Sequence, residues 1–143
     1  MCDQCNYLNL LETNGLGHTP NRLRVLEIIG NSSQPLSAQE VIGELNRIRQ
    51  VNRVTVYRIL DLLVAKRLVE RISAGDRSFR YGLAPNAHHK PHSHFYCVEC
   101  GEMECLSADQ INLDTQPLQR SFLGLIERVE VRFDGICQDC RRQ

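Results

Sequence analysis

The sequence has 143 residues, of which 42% are hydrophobic, and its 17 Lys and Arg residues balance 17 Asp and Glu residues. This length suits one ordinary domain or two small ones, and no apolar run approaches the roughly 20 residues that span a bilayer. These features exclude a fibrous, disordered or membrane-spanning chain, and because the first residues lack the basic and apolar regions of a signal peptide, we expect a cytoplasmic protein with no membrane partner.

Charge and metal-ligand residues divide unevenly along the chain. Before Pro85 there are 11 Lys and Arg against 8 Asp and Glu (+3), and after it 6 against 9 (−3). Every histidine except His18, and every cysteine except the first two, lies in the second half. The segment 84–91 has two prolines and no apolar periodicity, which predicts a boundary. We therefore expect a first domain over residues 1–84 that meets a polyanion, a hinge over 85–91, and a cation-binding domain over 92–143.

Three helices are predicted in the first half. The first begins directly after the N-cap Thr19 and stops at Gly30. The second opens with a capping box formed by Ser37 and Glu40, and the third begins after the N-cap Asn52. Their spacing predicts one apolar face each. The residues expected on those faces are Leu23, Leu26 and Ile29, then Val41, Leu45 and Ile48, then Val56, Ile59 or Leu60, and Leu63.

Two strands, "LVERIS" and "SFRYGL", follow the third helix and are joined by residues 74–77. Helices followed by a basic hairpin predict a winged helix-turn-helix domain. In such folds the start of the last helix contacts base edges in the major groove, so Arg53, Tyr57 and Arg58 are candidate DNA contacts. Arg77 in the hairpin offers a phosphate contact. The alternative is a surface helix that simply carries two arginines and a tyrosine.

Six of the seven cysteines form Cys-x-x-Cys pairs, and one stands alone. In a cytoplasmic chain such pairs are interpreted as metal ligands or redox thiols rather than disulfides. The four thiolates of a closed structural zinc site are supplied by the last two pairs, Cys97/Cys100 and Cys137/Cys140, which are separated by 36 residues. Two separate redox pairs are the alternative, but no thioredoxin-like unit accompanies them. The pairs are Cys2/Cys5, Cys97/Cys100 and Cys137/Cys140.

The second half predicts a small mixed α/β domain. "HSHFYCVEC" and "EMECL" are predicted strands around Gly101, "DTQPLQRSFLGLIE" a helix, and "RVEVRF" a further strand. The predicted fold class is therefore α+β, with a winged helix-turn-helix domain followed by a small α/β domain that holds a structural zinc.

A second cluster of ligand residues remains once four cysteines are assigned to zinc. His92 and His94 alternate along a strand, so their rings project to one face, and Cys105 on the next strand can meet them. Nitrogen and sulfur ligands favour zinc or another late metal. The alternative is an exposed histidine-rich loop beside a buried cysteine. His88 and His89 lie just before this cluster.

These motifs together resemble the ferric uptake regulator family of bacterial metal-dependent repressors. The resemblance rests on "VNRVTVYRILDLLVAKRLVE", the basic hairpin, "HSHFYCVECG" and the terminal "CQDC". It implies a DNA-binding winged helix, a dimerising second domain, and a regulatory metal at the hinge that holds the homodimer in its DNA-binding shape. Thr55, Tyr57 and Arg58 match the family's Thr-Val-Tyr-Arg DNA contacts, and Arg22 is a further candidate contact.

The resemblance also implies where the metals bind. The structural zinc falls on the last two cysteine pairs, and the regulatory metal on His92, His94 and Cys105, where many members have an acidic residue instead of the cysteine. Two other ligand positions of the family correspond to Pro35 and, roughly, to Gly82 here. The nearest candidates for a fourth ligand are therefore His88 and His89. Sulfur in place of a carboxylate favours zinc, so the chain is interpreted as closest to the zinc uptake regulators.

The expected function is a metal-responsive repressor that binds palindromic double-stranded DNA as a homodimer when a regulatory metal, zinc, is bound. The alternatives are an iron, manganese or peroxide sensor of the same family, or a thiol redox-sensing regulator that uses Cys2, Cys5 or Cys105. A zinc hydrolase or deaminase is not expected, because no His-x-Glu or Pro-Cys-x-x-Cys pattern occurs and no small organic substrate is implied.

Overall fold

The chain folds into two compact units, Met1–Pro91 and His92–Gln143, in a computed structural model that describes residues 5–86, 90–107 and 109–143. No helix among these residues is both long and apolar enough to cross a membrane. The first unit contains α1 Tyr7–Thr13, α2 Pro20–Asn31, β1 Leu36–Ser37, α3 Ala38–Asn46, α4 Arg53–Ala65, β2 Val69–Ser73 and β3 Phe79–Leu83. The second contains β4 His94–Cys97, β5 Met103–Cys105, α5 Gln116–Ser121, β6 Arg132–Gly135 and α6 Gln138–Arg141.

The three predicted helices of the first unit are α2, α3 and α4, and their N-terminal signals are confirmed. The side chain of Thr19 accepts from the Arg22 amide, Asn52 accepts from the Val54 amide, and Ser37 and Glu40 form the predicted capping box. The inward-facing residues pack into one core, in which Val25 and Leu26 of α2 meet residues of α3 and α4. Its other large members include Leu45, Leu60 and Leu63. Burial of these side chains holds the three helices together.

One predicted core residue, Ile48, is instead 55% exposed. The helix α3 ends at Asn46, whose side-chain oxygen accepts a hydrogen bond from the Val51 amide at 3.0 Å. After Asn46 the chain continues only as a turn, in which the Ile48 amide donates to the Leu45 carbonyl at 3.0 Å, so Ile48 lies beyond the last residue of the helix. The prediction that Ile48 faces the core was therefore wrong.

Gly30 does not end α2 as predicted but lies buried inside it, one residue before the helix terminates at Asn31. The helix α1, which the sequence did not predict, explains this glycine. The ring of Tyr7 lies where a β-carbon of residue 30 would be, and its hydroxyl donates to the Asn31 side chain at 3.2 Å. Gly30 therefore permits the close approach of α1 and α2.

We expect Gly30→Ala to destabilise the protein by about 1–3 kcal/mol, because the new methyl group displaces the Tyr7 ring. In a Tyr7→Ala background the same substitution should instead stabilise the protein by up to about 1 kcal/mol, since alanine favours a helix more than glycine does. Chemical denaturation of the four proteins measures this coupling. A stabilising Gly30→Ala in the unaltered background would contradict the packing described for Tyr7.

The wing is a three-stranded antiparallel sheet with the order β1-β3-β2. The predicted hairpin of β2 and β3 is confirmed, with Val69 opposite Leu83 and Ser73 opposite Phe79. The strand β1 was not predicted, because two residues carry no recognisable alternation. It pairs Leu36 with Tyr81 and so attaches the start of α3 to the wing.

The second unit is built on the sheet order β5-β4-β6, with β5 antiparallel and β6 parallel to the central strand β4. Helix α5 spans six residues rather than the predicted fourteen, and none of them is buried, so no packing within the unit extends it. The predicted strand 128–133 begins later, at Arg132, because residues 132–135 are those that pair with β4. Together the units form the predicted α+β fold, a winged helix-turn-helix followed by a small α/β unit.

Candidate metal centres and DNA interface

The two cysteine pairs of the second unit come together as a tetrathiolate cluster, formed by Cys97, Cys100, Cys137 and Cys140. Their sulfurs lie within 4.8 Å of one another, and the Cys97–Cys140 and Cys100–Cys137 pairs are each 3.8 Å apart. Tetrahedral zinc with bonds of about 2.3 Å requires sulfurs about 3.8 Å apart. The cluster therefore has the dimensions of a closed zinc site.

Two turns position these cysteines. The first follows β4, where the Gly101 amide donates to the Cys97 carbonyl at 2.9 Å and Gly101 has φ +78°, a left-handed conformation that glycine adopts without strain. The second leads from β6 into α6, with Cys137 as the N-cap residue. Because β6 runs parallel to β4, both turns emerge at the same end of the sheet.

The electrostatics of the tetrathiolate cluster favour a bound cation. The pKa of the Cys97 thiol is lowered to about 6, because the backbone amides of Cys100 and Cys137 donate hydrogen bonds to its sulfur. The pKa of Cys140 is raised by its hydrogen bond with the Cys137 sulfur and by burial. Without a cation, the negative charge of one thiolate disfavours ionisation of a second thiol, whereas a divalent cation stabilises all four thiolates together.

A second group of ligands, which we call the His2Cys group, consists of His92, His94 and Cys105. One ligand atom from each lies within 4.8 Å of the others. The β4–β5 pairing places His94 directly opposite Cys105, and the His92 and His94 ring centroids are 4.7 Å apart. His94 is 4% exposed and Cys105 lies at the surface, so the alternative of a buried cysteine is wrong. Two imidazoles and a thiol suit zinc better than a hard cation.

All three members of the His2Cys group belong to the second unit. The candidates for a fourth ligand, His88 and His89, lie outside the described residues, as does Cys2. Cys5 lies within the described residues. It is half-buried, and the side-chain amide of Asn86 donates a hydrogen bond to its sulfur at 3.6 Å. Within the described ranges, Cys5 joins neither group of metal ligands.

The first unit is apolar at the two positions where the family resemblance would place metal ligands. Pro35 is buried, and a β-carbon at Gly82 would lie 4.0 Å from the Pro35 ring and 3.5 Å from Ile72. Neither Pro35 nor Gly82 carries a ligand atom. The side chains at these two positions therefore cannot complete a metal site.

The outer face of α4 carries the predicted DNA contacts. Arg53, Tyr57 and Arg58 are exposed, whereas Val56, Ile59, Leu60 and Leu63 are buried on the opposite face. Thr55 is half-buried. Arg22 lies on another helix, where its guanidinium donates to the Gly17 carbonyl at 3.2 Å.

The wing tip holds Arg77 in an unusual backbone conformation. Its φ of +69° lies in the left-handed region, and its amide donates to the Ala74 carbonyl at 3.2 Å to close the turn. Nearby, the pKa of Asp76 is lowered by hydrogen bonds from the Ser78 hydroxyl and amide, so this carboxylate stays ionised. The side chain of Arg77 is exposed.

A groove of about 480 Å³ lies between α4 and the wing. Tyr57 lines it from α4, Gln39 from the start of α3, and Asp76, Ser78 and Arg80 from the hairpin. The groove shows that the α4 face and the wing form one continuous surface in the first unit. Such a surface can contact base edges and the phosphate backbone at the same time.

The sequence reasoning missed an apolar surface in the second unit. Five large apolar residues, from α5 to the segment that precedes β6, are at least half exposed. Four of them fall in the predicted helix and one in the predicted strand after it, and these elements have too few partners to bury them. They are Leu118 53%, Phe122 50%, Leu123 102%, Leu125 81% and Val129 51%.

Comparison with known proteins identifies the family. The sequence model of the ferric uptake regulator family matches residues 13–122. The chain belongs to this family. Its sequence is similar to the ferric uptake regulation protein of Bacillus subtilis, with 29% identity over 124 residues that cover 85% of this chain and 83% of that protein.

Two solved structures share the fold. The ferric uptake regulator of Helicobacter pylori, a protein with three functional metal binding sites, superposes with a TM-score of 0.78 at 19% identity and covers 99% of this chain and 97% of its own. A zinc uptake regulator in complex with zinc and DNA gives a TM-score of 0.63 at 21% identity, covering 97% of both chains.

Members of the ferric uptake regulator family are metal-responsive, dimeric, DNA-binding regulators of transcription and not enzymes. The predictions of family, of fold class and of a non-enzymatic function are therefore confirmed. The match of the family model includes α2, α3, α4, the wing and the β4–β5 hairpin.

Proposed function

We propose that the chain is a zinc-responsive repressor, and the observation that carries this proposal is the composition of the His2Cys group. Cys105 supplies sulfur beside two imidazoles, all within 4.8 Å. Thiolate and imidazole ligands select zinc over manganese, and they contain none of the carboxylates that suit harder cations.

The tetrathiolate cluster is proposed to hold a separate, structural zinc. Its four sulfurs already fill a tetrahedron, which leaves no open position for exchange. The His2Cys group supplies three protein ligands instead, with His88 or His89 as the candidate for a fourth. Because the four thiolates of the closed cluster are assigned to the structural zinc, the His2Cys group is the site to which we assign the exchangeable, regulatory metal.

DNA binding is assigned to residues 1–84 and dimerisation to residues 92–143, with 85–91 as the hinge. Arg53, Thr55, Tyr57 and Arg58 are the proposed contacts of α4, Arg77 is the proposed phosphate contact of the wing, and Arg22 is a further candidate. The exposed apolar residues from α5 to the segment that precedes β6 would be covered by the second copy in the homodimer. A symmetric dimer presents two α4 helices, which matches a palindromic operator.

For metal to switch repression, the His2Cys group must bind it more tightly in the DNA-binding form of the dimer than in other forms. A preference of about 100-fold shifts the population by about 2.7 kcal/mol. Because only three described side chains contribute ligand atoms, loss of any one of them should remove most of that preference.

We expect His92→Ala, His94→Ala and Cys105→Ser each to give a folded dimer that retains the structural zinc but gains no DNA affinity when zinc is added. The test measures binding to the cognate palindrome after weakly held metal is stripped, with zinc, iron, manganese and nickel added separately. Cys5→Ser is the matched control, since Cys5 lies outside both ligand groups of the described chain.

The results separate the alternatives. A response of the unaltered protein to iron or manganese in place of zinc would show an iron or manganese sensor. A zinc response that survives all three substitutions but is lost in Cys5→Ser would move the sensor to the N-terminal cysteine pair and refute the His2Cys assignment.

A further inference from the structure

Cys105 differs from the other cysteines of the second unit in its surroundings. It ends β5 opposite His94, its side chain is exposed, and its described ligand neighbours are two imidazoles rather than three thiols. Exposure gives a small oxidant direct access to the sulfur. Metal binding would also hold this sulfur as a thiolate, which is the form that reacts with oxidants.

The tetrathiolate cluster is protected where the His2Cys group is not. Cys97 and Cys137 are buried, and the Cys97 sulfur also accepts a hydrogen bond from the Cys137 amide at 3.3 Å. Cys100 is exposed, but its sulfur accepts a hydrogen bond from the Glu102 amide and lies 3.8 Å from the Cys137 sulfur, so its lone pairs are already engaged by the amide and by the proposed zinc. Oxidation at low oxidant concentration should therefore begin at Cys105.

We propose that Cys105 is a modification site at which hydroperoxides release the regulatory metal, an inference that rests on the proposed function of the His2Cys group. The sulfur of the Cys105 thiolate attacks one peroxide oxygen, a sulfur–oxygen bond forms and the oxygen–oxygen bond breaks. Sulfur loses two electrons to the peroxide, and the departing hydroxide combines with a proton supplied by the buffer. The products are a sulfenic acid and, from hydrogen peroxide, water.

The oxidised sulfur is a poor ligand, so the site loses one of its three described donors and its affinity for the metal falls. Repression would therefore cease under peroxide even when zinc is plentiful. Reduction by two thiols returns Cys105 to its starting form, with one disulfide of the reductant and one water as products. The His2Cys group thus combines two signals, metal supply and hydroperoxide.

The test uses the full-length, zinc-loaded dimer and hydrogen peroxide at low molar excess. A sulfenic acid trap followed by peptide mass spectrometry locates the modified cysteine, a chromogenic chelator measures zinc release, and DNA affinity is measured before and after a thiol reductant. We expect the adduct on Cys105, release of one of the two zinc ions bound by each chain, and a reversible loss of about 10-fold or more in DNA affinity.

Cys105→Asp is the informative variant, because a carboxylate can still ligate metal but cannot be oxidised in this way. Its zinc affinity will differ from that of the unaltered protein, so each protein is first loaded with zinc to saturation, and the fraction of zinc that peroxide then releases is compared. Cys105→Asp should release none in response to peroxide, while Cys5→Ser should behave like the unaltered protein. An adduct that appears first on Cys97, Cys100, Cys137 or Cys140, or equal peroxide sensitivity of Cys105→Asp, would overturn the inference. A protein that binds DNA without any metal response, yet carries the adduct on Cys105, would refute the regulatory function and leave the modification site standing.

Discussion

Cys97→Ser and Cys140→Ser should each abolish the folded second unit, and with it the dimer. Among the described residues of this unit only five are buried, and two of them belong to the tetrathiolate cluster. So small a core cannot offset the conformational entropy of about fifty ordered residues. Structural zinc in small domains contributes about 10–16 kcal/mol, and loss of one thiolate removes most of it. The buried residues are His94, Tyr96, Cys97, Met103 and Cys137.

The measurement is metal content after mild chelation, together with mass in solution and circular dichroism. The unaltered protein should keep one zinc per chain. Cys105→Ser is the matched control, because it removes a thiol from the same hairpin without touching the tetrathiolate cluster and should leave the dimer intact. A normal dimer that retains its zinc in Cys97→Ser would rule out the structural role of this cluster.

Arg58→Ala should weaken binding to the cognate palindrome by about 1–3 kcal/mol per contact, roughly 5- to 150-fold, and change binding to random duplex much less. Arg58 is exposed on the outer face of α4, where helix-turn-helix proteins contact base edges. Competition binding with cognate and random duplexes at several salt concentrations measures both effects.

The comparison is Arg77, at the wing tip. Because its φ is +69°, Arg77→Gly is a cleaner substitution than Arg77→Ala, which would keep a β-carbon in the left-handed region. This change should weaken cognate and random binding alike and reduce the salt slope by about 1. If Arg58→Ala and Arg77→Gly lose the same affinity on both duplexes, α4 is not the helix that recognises sequence.

Local signals account for most of what the sequence predicts correctly. The caps Thr19, Ser37 and Asn52 act within one helical turn, so the starts of α2, α3 and α4 are visible in short stretches of sequence. The meeting of His94 with Cys105 also follows from local geometry, since a short hairpin joins the two strands.

The remaining features depend on contacts between distant residues. Gly30 resembles a helix terminus until the Tyr7 ring is seen against it, and no pattern within α2 reveals that neighbour. Ile48 continues the apolar spacing of α3, but the helix has already ended at Asn46. Likewise, Pro35 and Gly82 are 47 positions apart, so the sequence showed two missing ligands but not that the apolar side chains of Pro35 and Ile72 would surround a β-carbon at residue 82.

The β4–β5 hairpin carries ligands of both metal groups, with Cys97 and Cys100 at its turn and His94 and Cys105 at its open end. A shift of one residue in this pairing would turn Cys105 to the opposite face of the sheet, away from His94. The tetrathiolate cluster fixes the turn and hence the pairing. The two sites should therefore fill in a fixed order, with the tetrathiolate cluster binding metal first. In a cell short of zinc, the His2Cys group would lose its metal while the tetrathiolate cluster keeps its own.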